Sequence, residues 1–411
     1  MSPSPLPQPK KQLSQAEFIA VMAMMFATIA FSVDAMLPAF PGIVAELTPD
    51  DPNRVQLMIT SFILGMGVGT LFTGPLSDTF GRKPIIIFGA LVYCVGAALA
   101  WIAPSLELIL VARVLQGLGA AGPRVVALAI VRDLYSGRKM AKIVSFIMMI
   151  FTLFPAFAPL IGSGIIAVTG TWRAIFGAFL VFSLISVTWI TLRQAETLPA
   201  DKRRAFRPAI LREGVVEVLT NRRSVTTIIA ITMVFAALFL AISATQLIFD
   251  RTYGMNDVFP YWFAGIALLA ATGSILNSQI VEKMGMRRVV SISLTVALVI
   301  SVVATATWSA AGAWSFWIYI VWTQCLFYMV QLTVGNLNAL AMEPLGHLAG
   351  MAASIIGAIS TVVAVILAAP ISLLFDGTPV PIMAGTTVLI LAALLLVRRI
   401  GDVPETESEA T

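Results

Sequence analysis

The sequence predicts an all-α polytopic membrane protein of twelve transmembrane helices, arranged as two pseudo-symmetric bundles of six. Three observations carry that prediction. Of 411 residues, 59% are hydrophobic and only 11% are charged, whereas a soluble domain carries roughly 25% charge to keep its surface solvated. The mean hydropathy is +0.94. The apolar residues fall in runs of about 20, the length that crosses a ~30 Å hydrocarbon layer at 1.5 Å per residue. Strict alternation with a period of two, the mark of a membrane β-barrel, is absent.

Spans are expected at 18–39, 55–76, 84–103, 107–131, 143–167 and 173–192, and again at 224–248, 259–280, 289–309, 314–337, 349–374 and 380–397. The only long polar insertion lies between the sixth and seventh. The chain therefore divides into an N-terminal bundle (1–192), a linker (193–223) and a C-terminal bundle (224–411). The linker is too short for a core of its own, and a short helix is expected in it at Pro208–Leu219.

Lys and Arg set the expected orientation. With the N-terminus inside, only Arg54, Arg173 and Arg251 fall outside, and Arg113 and Arg124 lie within the fourth span. Every other basic residue falls on the inner side, which puts both termini in the cytoplasm. The same asymmetry accounts for a net charge of +5 without nucleic acid as a partner. Two cysteines, Cys94 and Cys325, and a single histidine, His347, leave no disulfide framework, metal cluster or His-based catalysis to expect. No Gly-rich ATP-binding loop occurs. An enzyme is not expected.

The two halves echo each other. Asp78-Thr-Phe-Gly81-Arg82-Lys83 follows the second span, and Glu282-Lys-Met-Gly285-Met-Arg287-Arg288 follows the eighth. Each places an acid, then a glycine three residues on, then a basic pair. A degenerate repeat in a six-plus-six chain is the pattern of a duplicated transporter.

Charged residues inside spans are the natural candidates for function. Asp34 stands about 24 Å along the first span by helix rise, in the outer half of the bilayer. A carboxylate costs several kcal/mol there, so the group is suited to load a proton on one side and release it on the other. The alternative is an acid near the interface that simply meets water, where Leu37-Pro38 ends the helix. Arg113 lies at a matching depth in the fourth span and needs an acceptor or a wet cavity. The expectation is that Asp34 and Arg113 face one cavity, with Gln116 three residues on from Arg113 on nearly the same face. A purely structural ion pair between the two spans is the other reading. Arg124 falls within about 20° of the Arg113 face. It either lines the inner half of the cavity or snorkels to the interface.

Asp78 ends a helix, where the macrodipole disfavours a carboxylate. It calls for a partner in Arg82, Lys83 or the N-terminus of another helix, such as that of span eleven. Gly81 permits a tight turn. Pro159 and Gly162, in Ala158-Pro159-Leu-Ile-Gly162, are expected to break helix regularity and serve as a hinge. In the second half the polar residues Gln246, Tyr328, Gln331 and Asn336 are expected to face the substrate cavity.

Gly74-Pro75-Leu76-Ser77-Asp78-Thr79-Phe80-Gly81-Arg82-Lys83-Pro84 resembles the signature loop of the major facilitator superfamily. Further segments resemble its Bcr/CflA-type drug:proton antiporters. They are Ser32-Val-Asp34-Ala-Met-Leu37-Pro38, Arg113-Val-Leu-Gln116-Gly117-Leu-Gly119, Ala158-Pro159-Leu-Ile-Gly162 and Thr171-Trp172-Arg173-Ala174-Ile175-Phe176. The resemblance is specific in the N-terminal half and rests on hydropathy and the echo loop in the other. It implies the major facilitator fold and export of small amphipathic, drug-like compounds in exchange for protons by alternating access. The same fold also serves exporters of endogenous metabolites and proton-coupled importers.

Residue by residue, the resemblance gives the fourth-span Arg113 a part in proton coupling. It gives a gating role to Gly74, Asp78, Gly81 and Arg82, with Asp133 as a further partner of Arg82. The implied partners are a small-molecule substrate, protons and the lipid bilayer. No cofactor is implied beyond the proton gradient. The expected setting is the bacterial inner membrane, with the chain acting as a monomer.

Overall fold

A computed structural model describes residues 13–203 and 208–400. Residues 1–12, 204–207 and 401–411 lie outside that range. Among the described residues there are fourteen α-helices and no strand.

Helices α1 (Gln15–Asp34) and α2 (Phe40–Leu47) follow one another through a 3-10 turn at Leu37–Ala39. Then come α3 (Leu57–Phe80), α4 (Arg82–Ile102), α5 (Leu106–Leu134), α6 (Gly137–Thr169) and α7 (Ala174–Arg193). The linker holds α8 (Pro208–Thr220), close to its expected bounds. The second series is α9 (Arg222–Leu247), α10 (Phe259–Met284), α11 (Met286–Thr307), α12 (Ser315–Met342), α13 (Ala349–Ser372) and α14 (Val380–Arg399). Among the described residues, twelve stretches are long and apolar enough to cross a membrane.

Two boundaries differ from the sequence expectation for physical reasons. The first span continues to Leu47, because Pro38 and Pro41 each sit in the opening turn of a new helical segment, where the missing N–H costs nothing. Asp34 therefore lies only three residues past the midpoint of a 33-residue span, nearer its centre than expected. The signature loop is almost entirely helix: α3 runs to Phe80 and α4 starts at Arg82. Gly81 alone joins them, at φ 103° and ψ 162°, a conformation nearly closed to residues with a Cβ. The echo holds at the backbone level, since Gly285 alone joins α10 to α11 at φ 77° and ψ 148°.

The helices form two compact units. One takes in the described residues up to Asp50 and those from Ser61 into the linker; the other takes in Asp51–Thr60 and those from Pro208 onward. The sequence division at residue 192 did not anticipate that the start of the second span joins the second unit.

In the first unit, Phe18, Met22, Met25 and Phe26 of α1 pack against Val126, Ala127 and Ile130 of α5 and Ile143 and Ile147 of α6. In the second unit α9 is the central helix, packed on α12, α13 and α14. Its buried Ser224 donates to the Ala341 carbonyl of α12 at 3.0 Å. Gln56 donates to the Ser372 carbonyl at 2.9 Å, and Asn53 to the Phe375 carbonyl at 2.6 Å. The linker helix α8 lies on α13, with Gly214 facing the Met351 side chain.

Candidate functional site

Arg113 is fully buried on α5. Its Nη1 donates to Gln116 Oε1 at 2.7 Å and its Nη2 to the Ser32 carbonyl at 2.8 Å. The guanidinium also lies over the Phe62 ring, 4.5 Å from its centroid, which adds cation–π attraction. Tyr93 of α4 completes the cluster, its hydroxyl 2.6 Å from Ser32 Oγ. Four helices thus meet around one guanidinium. They approach closely because glycine faces backbone: a Cβ on Gly117 would run into the Phe62 carbonyl, and one on Gly119 into the Tyr93 amide.

Asp34 sits two residues beyond Ser32 and is 4% exposed. The structural ion pair that the sequence left open is not what holds it. Asp34 has no hydrogen bond or ion pair among the described residues, and Arg113 reaches the α1 backbone instead. On Gln116, Nε2 is buried without a hydrogen-bond partner. An unbonded carboxyl and an unbonded amide donor thus flank the same cluster.

Gly162 of α6 closes that region from another side. A Cβ there would strike the carbonyl of Ala35, the residue after Asp34. The expected break at Pro159 and Gly162 is not present. Both lie inside a continuous helix, Gly137–Thr169, since a membrane helix absorbs the one donor that proline lacks. What Gly162 provides is close approach to the Asp34 turn. Arg124, between its two readings, is only partly buried on α5.

The residues expected to gate assemble at the other end of the first unit. Arg82 is 7% exposed. Its Nη1 donates to Asp78 Oδ1 and Ser77 Oγ, and its Nε to Asp133 Oδ2 at 2.9 Å. Gly74, inside α3, accepts from Ser77 at 2.9 Å.

Sequence reasoning missed the linker's share in this network. Glu196 accepts from the Arg82 amide at 3.0 Å and the Lys83 amide at 2.9 Å, satisfying the free donors at the start of α4. Thr197 donates to Asp133 at 2.8 Å. The only signal was a lone acid just after the sixth span. At the opposite end, Glu46 accepts from Trp172 and Arg173 at 2.8 and 2.7 Å.

In the second unit the four expected cavity residues separate. Gln246 is fully buried and donates to Asn256 at 2.9 Å, at the end of α9 and away from the others. Tyr328, Gln331 and Asn336 form a ladder between α12 and α10. Tyr328 lies 3.3 Å from Thr272 Oγ1, Gln331 accepts from Ser274 at 3.2 Å, and Asn336 donates to Asn277 at 2.8 Å.

An all-helical, twelve-span chain with a duplicated glycine joint and charged residues buried at depth is a multi-pass membrane transporter. The chain belongs to the Major Facilitator Superfamily, whose family model matches residues 20–369. Among its relatives, a bicyclomycin resistance protein homolog of Haemophilus influenzae is 29% identical over 374 residues, covering 91% of this chain and 93% of that one. An uncharacterized MFS-type transporter of Bacillus subtilis, YdgK, is 26% identical over 85% of this chain and 86% of its own. Multidrug resistance protein MdtL of Salmonella heidelberg is 30% identical over 54% and 56% of the two chains. Among solved structures, a D-xylose-proton symporter superposes with a TM-score of 0.73 at 13% identity, covering 95% of this chain and 98% of that one. That likeness concerns the fold alone.

Proposed function

We propose that this protein exports small amphipathic, antibiotic-like compounds across the bacterial inner membrane in exchange for protons, by alternating access and with both termini in the cytoplasm. The observation that carries the reading is Asp34: a carboxyl 4% exposed in a membrane span, with no partner among the described residues. Burying such a group ionised costs several kcal/mol, and taking up a proton removes that cost. A carboxyl in this setting changes state when water or substrate reaches it. Relatives named for bicyclomycin and multidrug resistance support a drug-like cargo.

Arg113 is the fixed charge against which Asp34 works. Its donors are committed to Gln116 and the Ser32 backbone, so it holds the Asp34 turn in place while the proton comes and goes. The Arg82 network with Asp78 and Asp133 controls the cytoplasmic side. The protein acts as a monomer, with substrate, protons and lipid as its partners.

The reading is tested in cells expressing the protein and loaded with candidate compounds. Export is expected to collapse on adding a protonophore while ATP is held constant. Export that persists would reject proton antiport.

A further inference from the structure

Inside the first six spans, away from their ends, the acidic and basic residues are Asp34, Arg113 and Arg124. Arg113 is committed to Gln116 and the Ser32 carbonyl. Arg124 has no hydrogen bond, ion pair or ring contact among the described residues. It is only partly buried, and none of its nitrogens is among the sealed side-chain atoms that lack a partner. Its guanidinium therefore opens onto accessible space.

The helix face shows that this space is not the lipid side. Positions seven apart on a helix lie within about 20° of each other. Seven residues before Arg124, Gly117 faces the Phe62 carbonyl of α3. Seven residues after it, Val131 is buried in the core that α5 shares with α1 and α6. Val111 and Leu108, the strongly exposed apolar positions of α5, lie about 140° and 160° round the helix. Depth excludes snorkelling as well. Arg124 stands about 6 Å past Ala120, the midpoint of Leu106–Leu134. A helical side chain leans toward the N-terminus, which here is back toward the middle of the span and away from the nearer end.

A guanidinium does not shed its proton, so this face carries a fixed positive charge with no carboxylate set against it. A cationic compound is repelled there, and a neutral one displaces water without returning a countercharge. A carboxylate or similar oxyanion supplies both the charge and two acceptors matched to the planar fork. We propose that Arg124 binds the anionic group of the transported compound, so that the cargo is an amphipathic acid. That the anion is cargo rests on the export reading; the binding does not, and it is measured without transport.

The probes are dansylglycine and dansylglycinamide, which share an aromatic body and end in a carboxylate or a neutral amide. Each is titrated into detergent-solubilised full-length protein and followed by energy transfer from tryptophan. Dansylglycine is expected to saturate with a Kd about tenfold below that of the amide, the scale of one charge-assisted contact. Arg124→Gln should bind the two alike. Arg124→Lys, which keeps the charge and loses the fork, should keep part of the preference, and it carries the comparison if Arg124→Gln does not fold. Arg212→Gln, on the exposed side of the linker helix, should match the parent. Acid and amide bound alike by the parent, weakly or not at all, would overturn the proposal. So would a preference for the acid that is unchanged in Arg124→Gln and Arg124→Lys. Phosphatidylglycerol added to the micelles should not displace dansylglycine; displacement would assign the site to a lipid headgroup and also overturn it. No gradient enters the titration, so an acid preference that depends on Arg124 alongside export that resists the protonophore would reject antiport and keep the site.

Discussion

Arg113 donates from Nη2 to the carbonyl oxygen of Ser32 at 2.8 Å, two residues before Asp34 on the same helix. The fourth span thereby grips the first by its backbone and leaves the neighbouring carboxyl unbonded. On the export reading proposed above, a side-chain ion pair would have bound the charge that has to move. The backbone contact holds α1 two residues before Asp34 and leaves the carboxyl itself unbonded among the described residues.

Arg113→Ala is expected to abolish export and to lower the melting temperature of the purified protein. The Ser32 carbonyl and the Gln116 side chain lose a charged donor in a buried site, at roughly 1–3 kcal/mol for each group left unsatisfied. Arg113→Lys should recover little, because one ammonium cannot reproduce the planar fork that reaches both acceptors. Thermal unfolding in detergent together with a compound-efflux assay checks both effects. Wild-type export by Arg113→Ala would remove the grip from the mechanism.

Gly162 and Gly164 are two residues apart on α6 and should respond oppositely. A Cβ on Gly162 meets the Ala35 carbonyl, whereas one on Gly164 meets nothing within 4 Å. Gly162→Ala should push α6 away from the Asp34 turn and cut export severalfold. Gly164→Ala should be neutral or add up to about 1 kcal/mol of helix stability. Equal export by the two variants would show that close approach at Gly162 is not needed.

Gly81→Ala tests the joint between α3 and α4. At φ 103° and ψ 162° a Cβ costs about 1–3 kcal/mol. It would also press within 2.9 Å of the Arg203 guanidinium and 3.0 Å of Glu196 Oε2. Lower thermal stability and weaker export are expected together. Unchanged melting would mean that the joint relaxes freely.

Much of this was legible in the sequence because membrane physics leaves few solutions. Span number, the six-plus-six division and the linker helix follow from apolar run length and polar interruption. Asp34, Arg113 and Arg82 stood out because charge in or beside an apolar run is conspicuous. The partners of those charges were harder to see. Arg113 uses a backbone carbonyl, which every residue possesses and no side-chain pattern marks. Tyr93 and Phe62 join the cluster as ordinary aromatic residues of apolar spans, and Glu196 reaches the start of α4 from more than a hundred positions away in the chain. Pro38 read as a stop and proved to be a first-turn residue, which moved Asp34 toward the middle of its span. The second half carried no intramembrane charge to anchor the reading, and its polar residues proved to divide between the end of α9 and the α10–α12 ladder.

Asp34 is proposed as the group that exchanges a proton for substrate. The most direct measurement is substrate-induced proton release from detergent-solubilised protein, followed with a pH-sensitive dye in weakly buffered solution at neutral pH. It uses a compound whose export depends on the proton gradient. The parent protein should acidify the solution on adding the compound. Asp34→Asn, which keeps the size of the side chain and removes its titratable proton, should release none while remaining folded. Proton release from Asp34→Asn equal to that of the parent would remove Asp34 from the exchange.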